Sequence, residues 1–296
     1  MKKMLCLLLL AAYILSFNGC SAYKESTQIA ATTLPVFTFT TALCQGTGIT
    51  VSQLVTESVS CLHDYTLQVK QMRMIESAQI IVLSGAGLED FLSDALIDCG
   101  AVTVDASAGI ALICGDSDHE YSKHAGHEHH HSEDPHIWLS PANARLMVEN
   151  IYSALILQYP ENITVFSQNR ENLLEQISKL EVYGKETLKD LSCREIVTFH
   201  DGFAYLADAY ELTILEAIEE ESGSEASASE LIHLAELVRS HNLPAIFTEK
   251  NGSDAAASII SAETGVNFFP LDMGLSENSY FDAMYYNIDT IKEALE

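Results

Sequence analysis

Six of the chain's 11 histidines fall in one short run: His119, His124, His127, His129, His130 and His131. Asp134-Pro135-His136-Ile137-Trp138 follows almost at once. Neutral imidazole is the commonest protein ligand for zinc, and a His-rich tract serves no packing purpose. Glycine, serine, lysine and acids between these histidines make the segment too polar for a core. It reads as a loop able to hold transition metal weakly. The plainer readings are a surface loop with clustered histidines, or an expression tag. A tag does not account for the interruptions or for the internal position.

Five histidines lie elsewhere: His63, His136, His200, His233 and His241. His63 follows a predicted strand, His136 precedes a helix begun near Ser140-Pro141, and His200 ends a strand over 195–199. Asp272 ends a further strand beginning at residue 267. In open α/β sheets, ligands bind beyond the carboxyl ends of strands, so these four side chains can converge from both halves of the chain. Three imidazoles and a carboxylate form a four-coordinate set suited to Zn²⁺. His233 and His241 belong to an amphipathic helix and its end, and are read as surface residues. Cys61, two residues before His63, is read either as a ligand or as a small buried hydrophobe.

The elements that must position these residues alternate. Strands are predicted over 28–33, 49–55, 79–84 and 101–105, then over 195–199, 212–217, 245–249 and 267–271. Helical patterns lie between them, including 64–77 and 88–97, and the whole is an α/β chain. Ser227 and Glu230 have capping-box spacing and open a helix that closes near Asn242. From 160 to 191, apolar residues recur at three- and four-residue steps, with Glu175/Lys179 and Glu181/Lys185 paired on the surface. About thirty helical residues span about 45 Å, longer than one small lobe needs, so this segment reads as a rigid strut between two lobes.

Lys+Arg 15 against Asp+Glu 42 gives a formal charge of −27, which argues against a nucleic-acid partner. Residues 1–19 have the form of a lipoprotein signal: Lys2 and Lys3, then an apolar run, then Gly19-Cys20. Cleavage before Cys20 and lipidation of its thiol are expected, placing the chain outside the cytoplasm on the outer face of the membrane or in the periplasm. Cys44, Cys61, Cys99, Cys114 and Cys193 remain, and no pairing among them follows from sequence.

Several motifs together resemble the zinc- and manganese-binding substrate-binding lipoproteins of bacterial ABC importers. Ser84-Gly85-Ala86-Gly87-Leu88-Glu89 resembles that family's strand and glycine-rich turn. Asp134-Pro135-His136-Ile137-Trp138 resembles its most specific motif, and Thr198-Phe199-His200-Asp201-Gly202-Phe203 a further one. Ile246-Phe247-Thr248-Glu249 and Phe269-Pro270-Leu271-Asp272 resemble its last two strands. The resemblance implies His63, His136, His200 and Asp272 as ligands, and an α/β fold of two sheet-and-helix lobes bridged by one long helix, with the metal cleft between them. It also implies partnership with an ABC permease and its ATPase, and no enzymatic activity.

The segment before His63 departs from the family pattern in lacking glycine and proline. His200 stands where manganese-binding members tend to carry a carboxylate, so Zn²⁺ is expected ahead of Mn²⁺. The expected division is a signal at 1–19, a first lobe at 20–158, a linker helix at 159–191 and a second lobe at 192–296, in a monomer. The competing readings are a manganese-specific member, a zinc hydrolase, and a metal-buffering adhesin without a transporter. A hydrolase needs an open coordination position and a general base; Glu249 is the base on offer, although a buried structural acid is the plainer role for it.

Overall fold

The computed structural model describes residues 28–56, 62, 65–114, 133–218, 226–275 and 279–296. The signal segment with Cys20, Cys61, His63, and all six histidines of the 119–131 run lie outside the described residues.

Two four-stranded sheets, both entirely parallel, carry the fold. The first contains β1 (Ile29–Ala31), β2 (Val51–Gln53), β3 (Ile80–Leu83) and β4 (Val102–Asp105), in the order β2-β1-β3-β4. The second contains β5 (Glu195–Thr198), β6 (Thr213–Ala217), β7 (Ala245–Glu249) and β8 (Asn267–Leu271), in the order β6-β5-β7-β8. Each expected strand is present; those over 245–249 and 267–271 keep their bounds, and the others are shorter by one to four residues. Central parallel strands are covered on both faces, and alternate side chains sort accordingly. Ile29, Ala31, Ile80 and Val82 enter a continuous core, whereas Ala30 and Ile81 enter a small separate one on the other face. In the second lobe, Ala245 and Phe247 join the continuous core, and Val197 and Ile246 pack in a cluster under the outer helices.

The helices are α1 (Leu34–Cys44), α2 (Val69–Ser77), α3 (Ser93–Ile97), α4 (Pro141–Gln158), α5 (Ile163–Leu188), α6 (Ala204–Ala209), α7 (Ala228–His241), α8 (Ala255–Thr264) and α9 (Tyr280–Leu295). The expected strut is α5, 26 residues long, or about 39 Å. Pro160 lies in a 3₁₀ turn just before it. Phe166, Leu173, Ile177, Leu180 and Leu188 form its buried stripe, and Glu175/Lys179 and Glu181/Lys185 pair at 2.8 and 2.7 Å on its surface. Gly184 is a packing position. A Cβ there would lie 2.2 Å from the Tyr210 ring, so glycine lets the strut press against the second lobe.

Helix α7 has its capping box, with the Glu230 amide donating to Ser227 Oγ at 3.3 Å and the Ser227 amide to Glu230 at 2.6 Å. It stops at Asn242 in the left-handed region, φ 51°.

Two expected helices differ. The one anticipated from residue 64 begins only at Val69, because Gln68 caps it and the Gln71 side chain accepts the Gln68 amide at 2.8 Å. Gln71 also donates to the Leu54 carbonyl at 2.8 Å and to the Tyr65 hydroxyl, and residues 65–68 stay outside the helix. The pattern over 88–97 is a 3₁₀ turn at Asp90–Leu92 followed by the short α3. There the Glu89 carboxylate turns back to accept the Ser84 and Gly85 amides at 2.7 and 3.0 Å and the Thr32 hydroxyl at 2.5 Å. Burial pushes that carboxyl up to about 7.

Candidate metal centre

In the second sheet the strand order reverses between β5 and β7, the crevice where open parallel sheets present ligand-binding groups. His200 leaves the end of β5, Glu249 ends β7, and Asp272 follows β8 directly. All three are buried. His136, also buried, enters from the first half of the chain, and its ring centroid lies 5.3 Å from that of His200 at a 79° interplanar angle.

Each imidazole has a carboxylate on its Nδ1 side. Asp134 Oδ1 lies 2.8 Å from His136 Nδ1 and also accepts the His136 backbone amide at 2.8 Å. With the proton on Nδ1 to satisfy Asp134, the lone pair of His136 is on Nε2, the atom left to coordinate. Glu249 Oε2 stands 3.6 Å from His200 Nδ1, within ion-pair reach although beyond a direct hydrogen bond. Glu249, expected as a structural acid, therefore lies beside a candidate ligand.

The motif after His136 ties the halves together. Ile137, Trp138 and Leu139 form a fully buried 3₁₀ turn. Trp138 Nε1 donates to the Met273 carbonyl at 2.8 Å, and the Tyr280 hydroxyl donates to the Trp138 carbonyl at 2.8 Å. Tyr205, on α6, donates to the Asp134 carbonyl at 3.0 Å and receives the Ile113 amide at 3.0 Å. These contacts hold His136 one ring, 5.4 Å, from Trp138 and hold Asp272 next to the residue that Trp138 grips.

Asp272 is fixed from all sides. Its amide donates to Asn287 Oδ1 and its carbonyl accepts Asn287 Nδ2, both at 2.7 Å. Its Oδ1 accepts the Gly274 amide at 2.8 Å, and its Oδ2 meets Lys250 Nζ at 3.1 Å. The structure thus brings His136 and His200 together and pairs Asp272 with a lysine. Among the described residues, no group of three or more His, Cys, Asp or Glu side chains is arranged to hold a metal ion. His63 and Cys61, the remaining candidates of the expected site, lie outside them.

His233 and His241 are exposed, as expected of surface residues, and pair with Glu216 and Glu195 at 3.0 and 2.9 Å. Among the described residues, Cys44, Cys99, Cys114 and Cys193 form no disulfide, and burial raises the Cys44 thiol to about 12, which makes it a poor nucleophile.

Sequence reasoning missed Gly202. A Cβ at this position would lie 2.7 Å from His200 Cδ2 and 2.8 Å from both His136 Nδ1 and His200 Nε2. Glycine is what lets the backbone pass over both rings. Gly202→Ala is expected to push the imidazoles apart and weaken metal binding by roughly tenfold or more, the scale on which outer-shell residues act. Chelator competition would measure the loss, with circular dichroism verifying the fold; unchanged affinity would show that the rings tolerate displacement.

The fold defines a class: two-lobed α/β proteins built on two parallel sheets, with a long helix bridging the lobes. Residues 29–294 match the family described as zinc-uptake complex component A, periplasmic, and the chain belongs to that family. It is 31% identical over 304 residues to the high-affinity zinc uptake system protein ZnuA of Bacillus subtilis, covering 98% of this chain and 95% of that protein. It is 28% identical over 287 residues to the zinc-binding protein AdcA of Streptococcus pyogenes, covering 90% of this chain and 55% of that one; the chain thus spans about half the length of this relative. The crystal structure of the Zn(II)-bound ZnuA-like domain of Streptococcus pneumoniae AdcA superposes with a TM-score of 0.75 at 26% identity, covering 92% of this chain and 99% of that one.

Proposed function

We propose that this protein captures Zn²⁺ outside the cytoplasm through His63, His136, His200 and Asp272 and passes it to an ABC permease driven by its ATPase. The observation that carries this reading is the pair of buried imidazoles 5.3 Å apart, each backed by a carboxylate. Carboxylates behind ligating histidines fix ring orientation and raise ligand basicity. Nitrogen donors favour zinc over the harder manganese, which selects oxygen. The protein's work is binding and release, with no bond made or broken in the cargo. In this reading residues 20–158 and 192–296 form the lobes, 159–191 joins them, and lipid on Cys20 holds the chain at the membrane. The His119–His131 run adds weak sites that raise local zinc supply.

Calorimetry on tag-free protein tests this. One tight Zn²⁺ event per chain is expected, with Mn²⁺ displacing zinc only in large excess; equal or tighter Mn²⁺ binding would contradict it. Protons compete with metal for imidazole, whose reference pKa is about 6.5. Zinc affinity should therefore be level above that pH and fall below it, by up to about tenfold per pH unit for each coordinating histidine. A pH-independent affinity between 5 and 7 would remove histidine from the coordination sphere.

A further inference from the structure

We propose that Lys250 is a built-in stand-in cation, occupying the carboxylate of Asp272 in the metal-free protein and displaced when zinc binds. The proposal rests on the assignment of Asp272 as a zinc ligand.

The geometry begins with register. Glu249, the last residue of β7, pairs with Leu271, the last residue of β8, so Lys250 and Asp272 leave adjacent parallel strands side by side. The Lys250 amide still donates to the Leu271 carbonyl at 2.8 Å, which fixes the start of its side chain beside Asp272. Asp272 is 1% exposed, and a buried carboxylate is costly unless paired. The imidazoles of His136 and His200, when neutral, bring no charge to balance it. Lys250 does: its Nζ lies 3.1 Å from Asp272 Oδ2 and 5.0 Å from the centre of the Tyr286 ring, whose π face also favours a cation.

The lysine side chain is 34% exposed, so its flexible stem reaches the carboxylate from the rim and can swing back to water. Asp272 Oδ1 accepts the Gly274 amide and Oδ2 the Lys250 ammonium, so a metal arriving at this carboxylate meets a cation already in place. Two cations held on one carboxylate repel each other. Zinc entry therefore favours departure of Lys250, and its return offers Asp272 an alternative partner as zinc departs. The arrangement lowers affinity and keeps the empty carboxylate satisfied, which suits a protein that must give up its cargo.

The test uses the full mature chain with Zn²⁺ alone. Lys250→Met keeps the stem and removes the charge. It is expected to raise zinc affinity roughly tenfold, between what exposed and buried ion pairs contribute, and to slow zinc release to a chelator in stopped flow. The melting temperature of the metal-free protein should fall while that of the zinc-loaded protein stays unchanged, so the stabilisation by zinc widens. Lys250→Arg should retain wild-type affinity. In an Asp272→Asn background, Lys250→Met should change nothing, because the contested charge is gone. Unchanged or weaker affinity in Lys250→Met, with Asp272→Asn markedly weakened, would overturn the stand-in role and leave the ligand assignment standing. Undiminished affinity in Asp272→Asn would instead remove the ligand assignment and this proposal with it.

Discussion

Replacing His200 with alanine is expected to lower zinc affinity by more than about a hundredfold while leaving the fold intact. Loss of a direct ligand should exceed the roughly 10–100-fold effect typical of outer-shell partners. His200 stands at the end of β5 at the strand-order reversal, buried against His136, with Glu249 on its Nδ1 side. Its truncation removes a nitrogen donor and leaves Glu249 beside a void. The comparison variants are His233→Ala and His241→Ala, whose rings pair with surface glutamates. These should stay within about twofold of wild type, since exposed pairs contribute little. Competition against a chromophoric chelator distinguishes the cases; a loss below about tenfold in His200→Ala would place the site elsewhere.

Trp138→Ala should be the most damaging single change to stability, at about 3–5 kcal/mol. The indole is fully buried and lies in the core shared by both lobes. Its loss would open a cavity and strand the Met273 carbonyl that Nε1 now satisfies, a further cost of about 1–3 kcal/mol. Natural domains hold only about 5–15 kcal/mol in total, so the variant is expected to populate unfolded chain at ordinary temperatures. Trp138→Phe refills most of the volume and should recover much of the loss, leaving mainly the stranded carbonyl. Urea midpoints followed by far-ultraviolet circular dichroism would measure both. A Trp138→Ala midpoint close to wild type would mean that the joint between the lobes is held elsewhere.

Strands and strut were legible because their signals are local. Short β-branched runs marked all eight strands, and the three- and four-residue apolar steps over 160–191 marked α5. Helix α1 was not legible: Val36, Phe37, Thr38, Phe39, Thr40 and Thr41 are strand-favouring residues, and it is the burial of Val36, Phe39 and Thr40 between the first sheet, α4 and α5 that makes the segment helical. The start of α2 was misplaced for a similar reason, since Gln71 anchors it through Leu54, a contact 17 residues away.

The candidate ligands His136 and His200 were visible because they sit at element ends and in motifs. Glu249, Gly202 and Lys250 owe their roles to distances created by folding. Nothing in the spacing of a lone glycine reveals two imidazoles within 3 Å of its missing Cβ. Lys250 adjoins Asp272 only through the parallel register of β7 and β8, across 22 residues of sequence. His63 and the His119–His131 run belong to segments outside the described residues, so their part rests on sequence.

X-ray absorption at the zinc edge, on tag-free protein loaded with one equivalent of metal, tests the central claim most directly. A four- or five-coordinate shell of about three imidazole nitrogens and one or two carboxylate oxygens at roughly 2.0–2.2 Å is the predicted result. His200→Ala should lose one nitrogen from that shell, and deletion of residues 119–131 should leave it unchanged. A sulfur at about 2.3 Å, or a shell that disappears with the 119–131 segment, would contradict a site built from His63, His136, His200 and Asp272.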